Sequence, residues 1–131
     1  TYEDYVNASF SVRSAKGKAK RALGDTLHEI ATRYDADYSE RGEYPAWEYK
    51  ENSVMQKLYS DIYLENTGKK PKVEAIHAGL ECAVFSSTIK ELDCIAIGPT
   101  IFDAHTTTER LSLSSTHKIF NILTDVLTSL V

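Results

Sequence analysis

Cysteine and long apolar runs are scarce in this chain, and each shortage excludes a class of protein. Only two cysteines occur among the 131 residues, Cys82 and Cys94, which are too few for a disulfide scaffold and lack zinc-finger spacing. Two buried thiols in a reducing compartment are the simplest interpretation. No stretch approaches the roughly 18 apolar residues of a membrane helix, and the first residues lack the layout of a signal peptide. The composition predicts a soluble, cytoplasmic protein without a membrane partner.

The chain also lacks a strong excess of charge of one sign. Its 15 Lys and Arg residues stand against 19 Asp and Glu residues, giving a net charge of −4 that argues against nucleic acid as the main partner. The length corresponds to one domain or to pieces of two. Because the chain begins at Thr1 and opens directly into a strand-like alternation, we expect a segment cut from a longer protein. Removal of a Met before Thr1 would also explain that first residue.

The first third of the sequence has the order strand, helix, strand. Residues 5–13 alternate with a period of two, which places Arg13 on the face away from the core. Apolar residues then recur at three- and four-residue steps from Ala15 to about Tyr34, predicting an amphipathic helix. A strand at about 37–44 follows, so the segment is a right-handed crossover unit or half of a ferredoxin-like sandwich. The Gly, Pro and Trp residues of 42–47 predict a domain boundary near Glu48.

The remaining sequence alternates between helices and strands. It predicts helices at about 53–66, 80–89 and 115–130, the last with Ser114 as N-cap, and strands at 73–76 and 94–97. This order is typical of an α/β fold with a mostly parallel sheet covered by helices. Ligands of such sheets bind beyond the carboxyl ends of the strands, so we expect any site in the loops 76–82 and 97–110.

His105 is the main candidate for a metal ligand. It lies in an irregular polar loop, where Asp103 or a backbone carbonyl could orient one imidazole nitrogen while the other binds zinc. The alternative is a solvated loop histidine, which is the commoner situation for a lone residue of this type. One histidine cannot complete a zinc site.

Two further positions are candidates for substrate binding. The loop from His77 to Glu81 joins a predicted strand to a predicted helix, where Gly79 would allow close approach and free N–H groups would attract a substrate carboxylate. The alternative is a tight turn in which Glu81 only complements the helix dipole. Arg13 could form a bidentate pair with a carboxylate, or it could be an ordinary exposed arginine.

Cys82 represents a competing class of chemistry. A thiol near a helix N-terminus could act as a nucleophile with His77 or His105 as its base. The surrounding sequence supplies no nucleophile signature, so a packing thiol is the favoured interpretation.

The two loops and the segments upstream of them resemble the aminoacyl-histidine dipeptidases, also called Xaa-His dipeptidases or bacterial carnosinases. The matching stretches are Val12-Arg13-Ser14, Gly42-Glu43-Tyr44-Pro45-Ala46-Trp47, His77-Ala78-Gly79-Leu80-Glu81-Cys82, Ile97-Gly98-Pro99, Asp103, His105-Thr106, Glu109-Arg110-Leu111-Ser112 and Ser114-Ser115-Thr116. Together they cover nearly the whole chain in order.

The resemblance implies part of a metallopeptidase. Residues 1–48 would be the last piece of a ferredoxin-like lid that mediates homodimerisation, and residues 49–131 would be the C-terminal part of the catalytic α/β domain. His105 would bind one of two zinc ions, for which cobalt or manganese could substitute. Arg13 would engage the substrate carboxylate, and His77, Gly79 and Glu81 would border the pocket.

The resemblance also implies that the catalytic machinery is incomplete here. The bridging aspartate and the glutamate base of the family belong to the N-terminal half of the catalytic domain, which is therefore an expected partner. We expect this chain to be inactive alone, with metal absent or weakly bound, and the complete enzyme to hydrolyse Xaa-His dipeptides. The alternative is a non-catalytic peptide-binding or dimerisation module derived from the same fold.

Overall fold

The computed structural model describes residues 5–76 and 80–131, which belong to two compact units. Unit 1 comprises Thr1–Tyr49 and Ala75–Ser87, and unit 2 comprises Lys50–Glu74 and Thr88–Val131. In chain order the described elements are α1 (Gly17–Arg33), α2 (Val54–Thr67), α3 (Glu81–Thr88), β1 (Ile101–Phe102), β2 (Arg110–Leu111) and α4 (Leu113–Thr128). The four predicted helices are therefore confirmed, with ends that differ by one or two residues.

Unit 1 is organised around α1, along which the segment after it returns. The ring of Tyr38 stacks on His28 with centroids 4.7 Å apart. Its hydroxyl donates to Glu40 Oε1 and lies 3.3 Å from the carbonyl oxygen of Gly24. At the start of the helix, the N–H of Gly17 donates to Glu48 Oε1 at 2.9 Å. A Cβ on Gly24 would lie 3.2 Å from Glu40 Oε1, so the glycine in mid-helix permits this close approach.

Unit 2 contains a small hydrophobic core between α2 and α4. Ile62 of α2 packs with Ile122 and Val126 of α4, and Ile122 is fully buried. At the edge of this core, Asn66 Nδ2 donates to Asp125 Oδ2 at 2.9 Å, which links the two helices by a polar contact. The apolar spacing on α4 that predicted the helix therefore also identified its buried positions.

Serine side chains cap the N-terminal ends of both helices in unit 2. Ser53 accepts from the N–H of Gln56 at 2.9 Å at the start of α2, and Gly68 ends that helix with a left-handed φ of 67°. The prediction of Ser114 as the cap of the last helix was wrong. Ser112 is the cap, because its hydroxyl accepts from the N–H of Ser115, and the helix begins at Leu113.

The predicted strands and their parallel sheet are not formed among residues 5–76 and 80–131. No ladder involves 5–13, 37–44, 73–76 or 94–97, and the described sheet is one antiparallel pair, β1 with β2, in a region predicted as loop. Alternation shows that one face is suited to burial, but a strand also needs a neighbour with which to exchange hydrogen bonds. Tyr5, Val6 and Phe10, which belong to the first alternating segment, are 73%, 96% and 70% exposed. The predicted α/β class is therefore confirmed only in part: the described residues combine four helices with one short antiparallel pair of strands.

None of the helices in the described part of the chain is both long enough and apolar enough to cross a membrane.

Candidate functional site

The loop that carries His105 lies between two short antiparallel strands in unit 2. Ile101 of β1 pairs with Leu111 of β2, and Phe102 pairs with Arg110. Just outside this ladder, the N–H of Ser112 donates to the carbonyl of Thr100 at 3.0 Å, and the N–H of Thr100 donates to Ser115 Oγ at 2.8 Å. Because Ser112 and Ser115 belong to the start of α4, the base of the hairpin is fixed to that helix.

A tight turn at the tip places His105 in an unusual backbone conformation. The N–H of Thr106 donates to the carbonyl of Asp103 at 3.2 Å, so His105 is the third residue of a four-residue turn. Its φ is 65°, and Asp103 has a φ of 53°. A positive φ at the third position of a turn normally selects glycine or asparagine. For a residue with a side chain, the left-handed region costs about 1–2 kcal/mol.

Two consecutive side chains on the returning part of the loop bind these two left-handed residues. Glu109 Oε2 accepts from the backbone N–H of His105 at 2.7 Å, and Arg110 donates to Asp103 Oδ2 at 2.9 Å. The guanidinium carbon of Arg110 also lies 5.7 Å from the centroid of the Phe102 ring. Each departure from ordinary backbone geometry is therefore matched by a charge-assisted hydrogen bond across the loop.

Thr106 and Thr108 add further hydrogen bonds within the loop. Thr106 Oγ1 donates to the carbonyl of Asp103 at 2.7 Å and lies 3.1 Å from Thr108 Oγ1. The N–H of Glu109 donates to the carbonyl of Thr106 at 3.3 Å. The polar run after His105 thus folds back on itself and satisfies its own backbone groups, although the loop is exposed to solvent.

His105 is exposed at the tip of this loop and is chemically suited to donate one imidazole nitrogen to a metal. Asp103 was predicted as a possible orienting partner of that imidazole. Its carboxylate instead binds Arg110. Among residues 5–76 and 80–131 no three His, Cys, Asp or Glu side chains are grouped as a metal site. The described residues therefore do not complete a metal site at this loop.

Glu109 is a functional candidate that the sequence does not indicate by itself. It belongs to the stretch that resembles the dipeptidases, but nothing in its residue type shows which backbone N–H its carboxylate will accept from. Its spacing of four residues from His105 across a Thr-rich run is the available signal. In a loop, however, spacing does not fix geometry as it does in a helix.

Arg13 lies in unit 1, in the segment before α1. Its side chain is exposed, and its Nε donates to Ser11 Oγ at 3.2 Å. That contact uses one of the five N–H donors of a guanidinium, and the terminal pair is the part that a carboxylate binds in a bidentate manner. The position is therefore compatible with a carboxylate ligand.

The second predicted loop is described only at its end. His77 and Gly79 lie outside the described residues. Glu81 is exposed and is the first residue of α3, where its negative charge complements the helix dipole. Cys82 follows in the first turn, is half-buried and forms no disulfide. Glu81 is therefore placed where its charge complements the dipole of α3. Its contact with a substrate stays a prediction.

A groove in unit 2 was not anticipated from the sequence. It has a volume of about 300 Å³ and is lined in part by Tyr59 and Tyr63 of α2 and by Lys118 of α4. The Lys118 ammonium lies 5.6 Å from the centroid of the Tyr63 ring. Burial, followed by the neighbouring Tyr63, raises the pKa of Tyr59 above its ordinary value. The spacing of the two tyrosines on one helix face is the signal that could have indicated this surface.

Comparison with known proteins identifies the class. No protein-family model matches the chain. A cytosol non-specific dipeptidase of Escherichia coli strain K12 is 31% identical over 116 residues, which are 88% of this chain and 24% of the relative. The crystal structure of an aminoacylhistidine dipeptidase from Vibrio alginolyticus matches with a TM-score of 0.74 and 26% identity, over 88% of this chain and 24% of the other. The chain is thus similar in sequence and fold to part of a dipeptidase.

More narrowly, the resemblance to the aminoacyl-histidine dipeptidases is confirmed by these two matches. The chain spans about a quarter of the length of each of these proteins.

Proposed function

We propose that this chain is one part of a zinc-dependent dipeptidase, to which it contributes a metal ligand, His105, and a substrate-binding arginine, Arg13. The observation that carries the proposal is the conformation of His105. His105 lies in an exposed turn and has a left-handed φ, which favours glycine. Its backbone N–H is bound by Glu109, and the chain is similar in sequence to a dipeptidase. Residues held at such positions cluster at active sites and ligand-binding loops.

The donor chemistry of the loop fits one position of a metal site with several ligands. Catalytic zinc takes three protein ligands, and imidazole is among the commonest. We propose that His105 supplies one of them and that the polypeptide which the relatives possess beyond the matched quarter supplies the rest. Zinc held by His105 and those further ligands would supply polarisation of the scissile carbonyl and a water of lowered pKa. The glutamate base is likewise proposed to lie outside this chain.

We further propose that residues 1–48 are part of a lid that forms a homodimer and that residues 49–131 are part of the catalytic domain. Exposed apolar surface supports the need for additional polypeptide. Phe120 and Leu127 of α4 are 65% and 56% exposed, although neighbouring positions of the helix are buried. Surfaces of this kind mark contacts with further protein. The exposed apolar side chains of Tyr5, Val6 and Phe10 have the same character in unit 1.

The proposed substrates are short peptides with a free carboxylate, of the Xaa-His type. One comparison protein is named for aminoacyl-histidine and the other for non-specific dipeptide hydrolysis, so a dipeptide is the common element. Arg13 would bind the substrate carboxylate through its terminal nitrogens. His77, Gly79 and Glu81 would border the same pocket. The cytoplasm is the proposed location, in keeping with the cytosolic name of the Escherichia coli relative.

A chimeric enzyme tests this proposal. The chain replaces the segment that it matches in the Escherichia coli dipeptidase, and hydrolysis of a panel of Xaa-His and other dipeptides is measured together with zinc content. We expect zinc-dependent hydrolysis by the chimera, none by the chain alone, and loss of zinc and activity in His105→Ala. His117→Ala, which removes an exposed histidine of α4, is the matched control. Full zinc content and activity in His105→Ala would overturn the assignment. Selective binding of peptides by the isolated chain, without hydrolysis by the chimera, would favour the non-catalytic module.

A further inference from the structure

We infer that Glu109 is a positioning residue for His105. Its carboxylate holds the backbone of His105 in the left-handed conformation from which the imidazole is presented to a metal. The inference rests on the proposed role of His105 as a ligand, and it adds a residue to which that proposal gives no function.

The hydrogen bond between these residues joins a charged side chain to the backbone of the ligand itself. Glu109 Oε2 lies 2.7 Å from the nitrogen of His105, which is at the short end of the range for N–H donors. Because the acceptor is a carboxylate, the bond is stronger than one to a neutral oxygen. It fixes the orientation of the peptide plane that precedes Cα of His105, and hence it restrains φ at that residue.

The position of Glu109 is fixed in turn by the hairpin. Its own N–H donates to the carbonyl of Thr106 at 3.3 Å, and the next residue, Arg110, is paired with Phe102 in the ladder and with Asp103 through its side chain. Glu109 therefore binds one left-handed residue, His105, and Arg110 binds the other, Asp103. Arg110 acts two residues before the ligand, whereas Glu109 acts on the ligand directly.

A ligand that is held in place binds metal more tightly than one that must be ordered on binding. Partners that orient metal ligands typically change metal affinity by about 10- to 100-fold when they are removed. Glu109→Ala should therefore weaken zinc binding by at least about tenfold on the same scale. Glu109→Gln should retain most of the affinity, because its amide oxygen can still accept from the N–H of His105.

The first arm of the test measures zinc affinity in the chimera with the Escherichia coli relative. The variants are Glu109→Ala, Glu109→Gln, His105→Ala and, as matched control, Glu65→Ala on the exposed face of α2. Weakened binding in Glu109→Ala, rescue in Glu109→Gln and wild-type binding in Glu65→Ala would support the inference. If His105→Ala binds zinc fully, the proposed function fails. If His105→Ala loses zinc while Glu109→Ala binds normally, the positioning role alone fails.

The second arm uses the isolated chain and no metal, so it also decides the question if a chimeric variant does not fold. In NMR spectra, the intraresidue cross-relaxation between the amide and α protons of His105 is strong at positive φ. We expect this signal to weaken in Glu109→Ala and to persist in Glu109→Gln and Glu65→Ala. An unchanged signal in Glu109→Ala would overturn the inference, because the backbone would then keep its conformation without the carboxylate.

Discussion

The carboxylate of Asp93 accepts a hydrogen bond from the backbone N–H of Met55, with Oδ2 and N separated by 3.1 Å and 38 positions of sequence. Met55 is the second residue of α2, so Asp93 satisfies a donor that has no partner within the helix. Ser53 caps the N–H of Gln56 at the same end. The start of α2 is thus fixed both by its own N-cap and by a residue of the segment that leads toward Cys94.

The contact between Asp93 and α2 makes the stability of the chain sensitive to acid. Burial alone raises the pKa of Asp93, but hydrogen bonds from Ser53 and from the N–H groups of Met55 and Val54, with the charge of Lys50, outweigh it and lower the pKa below 3.8. A carboxyl with a lowered native pKa contributes stability above its ordinary pKa, and that contribution is lost as the pH falls through the native value. We expect the free energy of unfolding to decrease below about pH 4.

Substitution of Asp93 should remove that dependence. Asp93→Asn should flatten the acid limb of the stability curve and lower the free energy of unfolding at pH 7 by about 1–2 kcal/mol, as expected for a lost charged hydrogen bond at a helix start. Urea titrations of both proteins between pH 3 and 7 measure this. An acid limb of equal slope in the variant would show that other carboxylates cause the decrease.

The small core of unit 2 should depend strongly on Ile122. This side chain is fully buried against α2, whereas Leu127 of the same helix is 56% exposed. Ile122→Ala should lower the free energy of unfolding by about 2–5 kcal/mol, and Leu127→Ala by less than about 0.5 kcal/mol in the isolated chain. Thermal and urea unfolding of the two variants provides the comparison. Equal effects would contradict the described packing of α4.

Glycine at position 105 should separate stability from metal binding. His105→Gly relieves a left-handed φ of 65° and should raise the free energy of unfolding by about 0.5–1 kcal/mol, after allowance for the greater freedom of glycine in the unfolded chain. His105→Ala keeps the unfavourable conformation and should not be stabilising. Both variants should lose the same zinc ligand in the chimera. A glycine variant less stable than the alanine variant would contradict the left-handed conformation at position 105, because glycine would then relieve no strain there.

Arg13 should affect substrate binding through the carboxylate of the peptide. In the chimera, Arg13→Ala should raise KM for Xaa-His dipeptides by about 10- to 100-fold, the range expected for one lost charged hydrogen bond, and Arg13→Lys should restore only part of it. A dipeptide amide, which lacks the carboxylate, should be hydrolysed equally by wild type and Arg13→Ala. Arg41→Ala, at another exposed position of unit 1, is the control. A similar effect of Arg13→Ala on the amide would point to a structural role.

The helices and the resemblance to dipeptidases were predictable from the sequence because their signals are local or ordered along the chain. Three- and four-residue spacing of apolar residues predicted α1 and α4. The strands were less predictable. The alternation of Val6, Ala8 and Phe10 indicates which face suits burial, but it does not supply the neighbouring strand that a ladder requires. Ser112 in place of Ser114 shows the same limit on a smaller scale, since either serine could begin a helix.

The sequence by itself determined where this chain is helical, that its apolar content suits a packed protein, and that His105 belongs to a dipeptidase-like motif. Only the tertiary structure decided how that histidine is held. The left-handed φ of His105 and its bond to Glu109 depend on where the hairpin of Ile101 and Leu111 closes, which no local pattern encodes. Periodicity reports on a single element and its exposed and buried faces. The placement of a ligand is instead set by hydrogen bonds between segments, and these exist only after the chain has folded.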